Sequence, residues 1–214
     1  MIKAIIFDFD GVILETSDIK TEAFRELFKE HSQELVESVI DYHKTNMGIS
    51  RFVKFQYFYD NILHQELTKE KKDELSEKFS KIALDKILMA PFVKGVKEFL
   101  QSKKYKYYIA SGTPEEELRF IVKEREVDCY FHGVYGSPRV KEDIVRDIML
   151  NNNYSNHEVV FIGDAISDKL AADKTGIRFI ARLDGNNHEL FHDIDYKVKD
   201  FESFSEGLKV LDSR

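Results

Sequence analysis

The chain of 214 residues has one cysteine, three prolines and no tryptophan. A single thiol, Cys129, excludes an internal disulfide framework, fits a reducing compartment and reads as a small apolar core residue. Three prolines leave no stiff linker, and no repeat or low-complexity tract divides the chain. No run of about 20 apolar residues is present to cross a bilayer. The opening Met-Ile-Lys-Ala-Ile-Ile-Phe-Asp is too short an apolar run for a secretory signal. An excess of positive charge is missing too: 32 Lys and Arg against 39 Asp and Glu leave −7, which argues against nucleic acid as a partner. The expectation is a cytoplasmic protein, monomeric or homodimeric, that acts on small solutes and binds neither membrane nor nucleic acid.

What is present is a change of pattern along the chain. Residues 2–7 are an apolar run suited to a buried strand. From Glu15 to about Met89 the period becomes helical, with Ile19, Ala23 and Leu27 on one stripe and Leu75, Phe79, Ile82 and Ala83 on another. The aromatics Phe52, Phe55, Tyr57, Phe58 and Tyr59 in this block read as its core. After Pro91, strands and helices alternate. Strands are expected at 107–110, 134–136, 159–162 and 177–181; helices are expected at 115–126, 142–150 and 166–175, the last closed by Gly176. Such alternation implies parallel strands joined by helical crossovers. The predicted fold is therefore α/β: a Rossmann-like parallel sheet from residues 1–14 and 91–214, with an all-helical domain, residues 15–90, inserted after the first strand. Hinges are expected near 14–16 and 90–92.

In open parallel sheets ligands bind at the carboxyl ends of the strands, so the residues just past each strand are read together. The first ends in Asp8-Phe9-Asp10-Gly11, two carboxylates on one face of an extended segment. The second ends in Ser111-Gly112-Thr113-Pro114-Glu115-Glu116, where Thr113 suits an N-cap and Glu116 a capping box, leaving a hydroxyl and free N–H groups at a helix start that suits phosphate. The third leads to Lys141, and the fourth to Asp164 and Asp168. Taken singly, these are ordinary turns, caps and surface charges. Taken together, four carboxylates against one lysine leave −3, and a phosphate dianion takes that to about −5, which calls for a bound cation such as Mg²⁺.

These residues resemble the haloacid dehalogenase superfamily of phosphotransferases, in the branch with a helical cap after the first motif that includes phosphoglycolate phosphatases and β-phosphoglucomutases. The match lies in Asp8-Phe9-Asp10-Gly11-Val12, Ala110-Ser111-Gly112-Thr113, Lys141, and Gly163-Asp164 through Asp168. The resemblance implies an Mg²⁺-dependent phosphatase of a small phosphate monoester, working through an aspartyl-phosphate. In it Asp8 is the nucleophile and Asp10 the acid and base. Ser111, Gly112, Thr113 and Lys141 surround the phosphoryl group. Asp8, the backbone carbonyl of Asp10, and Asp164 hold the metal, with Asp168 behind them. Substrate choice is assigned to the cap: Gly48-Ile49-Ser50-Arg51 resembles the segment with which the sugar-phosphate mutases hold substrate, so Arg51 is expected to pair with a second anion. Lys20 is a further substrate-binding candidate. It stands where the β-phosphoglucomutases have histidine, which favours a phosphatase over a phosphomutase, the alternative reading.

Other chemistries fit less well. Asp10 disfavours dehalogenation, whose branch lacks it. Phosphonate cleavage needs a Schiff-base lysine in the cap, for which Lys44 and Lys54 are the candidates. His188-Glu189-Leu190-Phe191-His192 matches the pattern of zinc hydrolases, but Asp184-Gly185-Asn186-Asn187 before it and Asp193-Ile194-Asp195 after it leave only about two helical turns, too little to support a metal site. A non-catalytic binding protein has no physical reason to keep a costly carboxylate cluster.

Overall fold

The computed structural model describes residues 1–185, 187–202 and 204, so the end of the segment expected to run from 91 to 214 lies outside the described residues. Among the described residues six strands, β1 Ala4–Phe7, β2 Lys106–Pro114, β3 Phe131–Ser137, β4 Val159–Gly163, β5 Arg178–Arg182 and β6 Lys197–Val198, form one parallel sheet in the order β3-β2-β1-β4-β5-β6. Helices α1 Ser17–Leu27, α2 Gln33–Thr45, α3 Arg51–Tyr57 and α4 Lys69–Met89 lie between β1 and β2; α5 Val96–Gln101, α6 Glu115–Glu124, α7 Lys141–Asn151 and α8 Ile166–Thr175 accompany the sheet. The α/β parallel architecture read from the sequence is the architecture observed.

Strand β1 explains why its sequence is apolar throughout. Ile5 and Phe7 belong to one buried cluster and Ala4 and Ile6 to another, so alternate side chains enter the layers on the two faces of the sheet. β1 is central, between β2 and β4, and Asp8 follows it directly, its N–H still bonded to the Ile162 carbonyl at 2.9 Å. Asp8 thus inherits the rigidity of the middle of the sheet.

The helical block is built on phenylalanine. Phe24 of α1 meets Phe55, Phe58 and Phe79 edge-on or tilted at centroid distances of 4.6 to 6.0 Å, within the range that favours aromatic pairs. Phe55, Phe58 and Tyr59 are buried as expected, but Tyr57 is partly exposed and stacks on Tyr42 at 3.6 Å. The chain enters and leaves this block side by side: Leu14 and Phe92 form an antiparallel bridge, with bonds from Glu15 N–H to the Pro91 carbonyl and from Val93 N–H to that of Ile13. α4 stops where Ala90 becomes extended before Pro91, the conformation proline imposes on the residue ahead of it. Its end carbonyls do not go unpaired, because Arg125 donates to Leu88 at 2.7 Å and Ala90 at 2.6 Å from beyond α6.

Several local expectations change. β2 runs on past Ala110 to Pro114, which pairs with Ser137 of β3 after a register shift. Thr113 does not cap α6: Pro114 takes the cap position, no side chain caps it, and the Thr113 hydroxyl turns into the site instead. β6 is too short for any periodicity to announce it. Cys129 is exposed rather than in the core, because it sits on the single 3₁₀ turn Asp128–Tyr130 before edge strand β3. His188 and His192 are exposed, and the segment between them is one 3₁₀ turn, His188–Phe191, with no third ligand beside it among the described residues. The zinc pattern is a coincidence of letters. Among the described residues no helix is long and apolar enough to cross a membrane.

Candidate active site

The carboxyl ends of β1, β2 and β4 and the start of α7 converge as the spacing predicted, and the helical block covers them. A cavity of about 50 Å³ between them is lined by Asp8, Asp10, Ser111, Gly112, Thr113 and Asp164 below, and by Lys20, Phe24, His43, Arg51, Lys54 and Phe79 above.

At its floor Asp8 is 2 % exposed and lies 3.0 Å from the Lys141 ammonium, which also meets Asp168 at 2.5 Å. Lys141 opens α7, and its charge is fixed by these two carboxylates, which raise its pKa against the opposing effect of burial. Both oxygens of Asp168 are engaged: one bonds Lys141 and the other accepts the Ala165 N–H at 3.0 Å. It therefore orients the lysine. Ligand oxygens of Asp8, Asp164 and Asp168 lie within 4.8 Å of one another. Burial raises the Asp8 carboxyl to about 7 against the pull of Lys141, and repulsion from Asp168 and Asp10 adds to it. Asp164 is likewise raised well above the ordinary range, by burial and then by Asp8 and Asp168. Such a cluster is short of positive charge, and its all-oxygen donor set suits a hard divalent cation.

Asp10 behaves differently. Its carboxylate accepts from Thr16 at 2.8 Å, Lys20 at 2.5 Å and Thr113 at 2.9 Å, and Lys20 in turn bonds Thr113 at 2.7 Å. Burial alone would raise its pKa, but Lys20 and the three hydrogen bonds outweigh that and hold it below the ordinary range. Lys20 thus binds the second aspartate in this structure. Thr16 was not singled out in the sequence, although a hydroxyl six residues after Asp10 and just before a helix is a weak signal.

The second strand end supplies a compact cradle. Ser111 is 1 % exposed, and its oxygen accepts the Thr113 N–H at 3.2 Å. A Cβ on Gly112 would lie 2.5 Å from the Gly48 carbonyl oxygen and 2.9 Å from the Ile49 carbonyl carbon, so only glycine lets that loop close here. At Gly11 the reason is the backbone: φ is +70°, and a Cβ would run into the Asp164 carboxylate. Asn187 donates to the Asp164 carbonyl at 2.9 Å, and Arg182 ties Gly11 and Glu15 together at 3.0 and 2.5 Å. These last two supports carry no motif that a sequence reading would detect.

Arg51 does line the cavity, but its guanidinium is already engaged. It lies 2.5 Å from Glu117 of α6 and 2.9 Å from the Ser80 hydroxyl of α4, with the Phe79 ring 4.8 Å beneath it. The pair links the helical block to the sheet layer. Lys54, three residues on, is 3 % exposed.

Residues 5–182 match the family model for haloacid dehalogenase-like hydrolases. The phosphorylated carbohydrates phosphatase of Thermotoga maritima is 24 % identical over 193 residues, covering 88 % of this chain and 87 % of that protein. In fold the chain resembles the β-phosphoglucomutase of Clostridium difficile, at 19 % identity with a TM-score of 0.76 over 100 % of both chains. It also resembles CbbY of Rhodobacter sphaeroides, solved in complex with phosphate, at 18 % identity with a TM-score of 0.76 over 98 % of this chain and 100 % of that one. With strand order, motif positions and a family match over most of its length in agreement, this chain belongs to the haloacid dehalogenase-like hydrolases.

Proposed function

We propose that the protein is an Mg²⁺-dependent phosphatase that hydrolyses a small phosphate monoester through an aspartyl-phosphate, with residues 15–90 acting as a cap over a core formed by 1–14 and 91–214. The observation that carries this reading is the setting of Asp8, a carboxylate just past the end of the central strand that faces a cavity with Lys141 at 3.0 Å and Ser111 and Gly112 beside it.

In this reading Asp8 attacks phosphorus, and the ester oxygen leaves with a proton from Asp10, which has to take that proton up as substrate enters because Lys20 favours its ionised form. Asp10 then takes a proton from the water that cleaves the acyl phosphate. Thr16, Lys20 and Thr113 hold its carboxylate in one orientation, which is what a group that must serve both half-reactions needs. A positioned acid and base contributes about 10²–10⁴-fold, so most of an acceleration that reaches ~10²¹-fold for phosphate monoesters has to be electrostatic. Lys141, the Ser111 hydroxyl and the Gly112 N–H supply part of that around the phosphoryl oxygens. Asp8, Asp164 and the Asp10 carbonyl would hold Mg²⁺, and Asp168 keeps Lys141 in place. When bound, the metal neutralises the carboxylates and the phosphoryl charge so that a dianion can approach Asp8.

The small relatives' chemistry agrees, since the Thermotoga protein is named for phosphorylated carbohydrates. The test is phosphate release from a panel of small esters and an aryl phosphate, with Mg²⁺ and with chelator. Metal-dependent release that Asp8→Asn abolishes supports the reading; release that survives in Asp8→Asn refutes the nucleophile.

A further inference from the structure

Three basic side chains line the upper part of the cavity, Lys20, Arg51 and Lys54, and they are not equivalent. Lys20 is paired with Asp10 and Arg51 with Glu117, each at 2.5 Å. Lys54 has no carboxylate partner among the described residues, although it is 3 % exposed. Its nearest polar neighbours are His43 Nδ1 at 2.7 Å and the His43 carbonyl at 3.5 Å, and the Phe24 ring centroid lies 5.5 Å away.

The hydrogen bonds around His43 have a direction. Thr21 donates its hydroxyl hydrogen to the Ser17 carbonyl at 3.1 Å, so its oxygen is free to accept from His43 Nε2 at 3.2 Å. That places the imidazole hydrogen on Nε2 and leaves Nδ1 as the acceptor for Lys54. The imidazole is neutral, pushed down to about 2 by burial and by the charges of Lys54, Lys20 and Lys44. Burial likewise drives the Lys54 amine well below the ordinary lysine range, with Lys20 and Lys141 adding to the effect against Asp10. One amine hydrogen is therefore committed, no carboxylate faces the amine, and an anion placed beside it would favour the charged form that burial opposes.

A buried amine with no carboxylate partner is a polar cost that an apolar side chain of the same length would avoid. We propose that Lys54 is the specificity residue of this cavity, pairing with a second anionic group, a carboxylate or a second phosphate, on the end of the ester remote from the reacting phosphorus. The inference rests on the phosphatase reading and moves to Lys54 a role that the sequence suggested for Arg51, whose charge Glu117 already satisfies. The small cavity limits the two anions to a short separation.

The experiment compares kcat/KM for 2-phosphoglycolate, propane-1,3-diyl bisphosphate, sn-glycerol 3-phosphate and an aryl phosphate in wild type, Lys54→Met and Lys54→Gln. The first two carry a second anion and separate carboxylate from phosphate; the last two carry none. A charge-assisted hydrogen bond corresponds to about 10–100-fold, so wild type should prefer at least one of the first two. Both variants should reduce that preference by about the same factor, chiefly through KM. An unchanged preference in both variants, or a wild type that prefers the esters without a second anion, overturns the assignment. Calorimetric binding of 2-phosphoglycolate to wild type and Lys54→Met covers the case of no turnover. Equal affinities overturn the role of Lys54, whereas Lys54-dependent binding without hydrolysis overturns only the phosphatase reading.

Discussion

Glu117→Ala should destabilise the protein by about 2–3 kcal/mol. Removing one partner of a buried ion pair costs about 3–5 kcal/mol, because the other charge is left without compensation. Arg51 is 5 % exposed and meets that condition, but the Ser80 hydroxyl, the Phe79 ring and water entering at Glu117, whose side chain is 15 % exposed, would relieve part of the penalty. The reverse change, Arg51→Met, should cost less, about 1–2 kcal/mol, since Glu117 keeps a 2.5 Å hydrogen bond from Ser80 and reaches water more easily. The double variant, which leaves no unpaired charge, should then cost no more than Glu117→Ala alone, giving a coupling energy of at least about 1–2 kcal/mol. Urea unfolding followed by circular dichroism reads this directly. With a slope of about 2 kcal/mol per molar urea, Glu117→Ala should move the midpoint down by about 1 M. Additive single variants, with a coupling under about 0.5 kcal/mol, would refute the view that this pair joins the helical block to the sheet layer.

Three further outcomes follow from the site. Asp8 is raised from 3.8 to about 7, so the folded chain holds that proton more tightly than the unfolded one, and metal-free stability should fall as pH rises across that interval. Asp8→Asn should flatten the fall measured in chelator, and Mg²⁺ should stabilise wild type near pH 7.5 more than the variant; parallel pH profiles would count against it. Gly112→Ala should cut turnover by at least tenfold by forcing the Gly48–Ile49 backbone off the cradle, and near-normal kcat/KM would show that the loop yields without consequence. Replacing both His188 and His192 with alanine should change activity less than twofold, with no zinc in the wild-type protein by mass spectrometry; stoichiometric zinc would contradict the exposed 3₁₀ turn.

The motif residues were legible because their signal is local. Asp8 and Asp10 end an apolar run, Lys141 opens a helix, and Asp164 follows a second apolar strand, so the parallel-sheet rule alone brings them to one edge. Gly176 was readable as a helix stop for the same reason, and it adopts a φ of +70° in the structure. Thr113 was misread as a cap because its fate depends on Asp10 and Lys20, which lie far away in sequence.

The amino-acid pattern by itself determined the layered α/β architecture, the place where the chain inserts helices, and the floor of the site, since burial periodicity and strand-end position act through neighbouring residues. Only the tertiary structure decided which basic side chain meets a carboxylate and which does not. Arg51 and Lys54 sit three residues apart on one short helix and look interchangeable as text. Packing α6 against α4 brings Glu117 to Arg51, while Lys54 is left facing a neutral histidine. Charge balance in a buried cavity is a property of the assembled surfaces, and no local pattern encodes it.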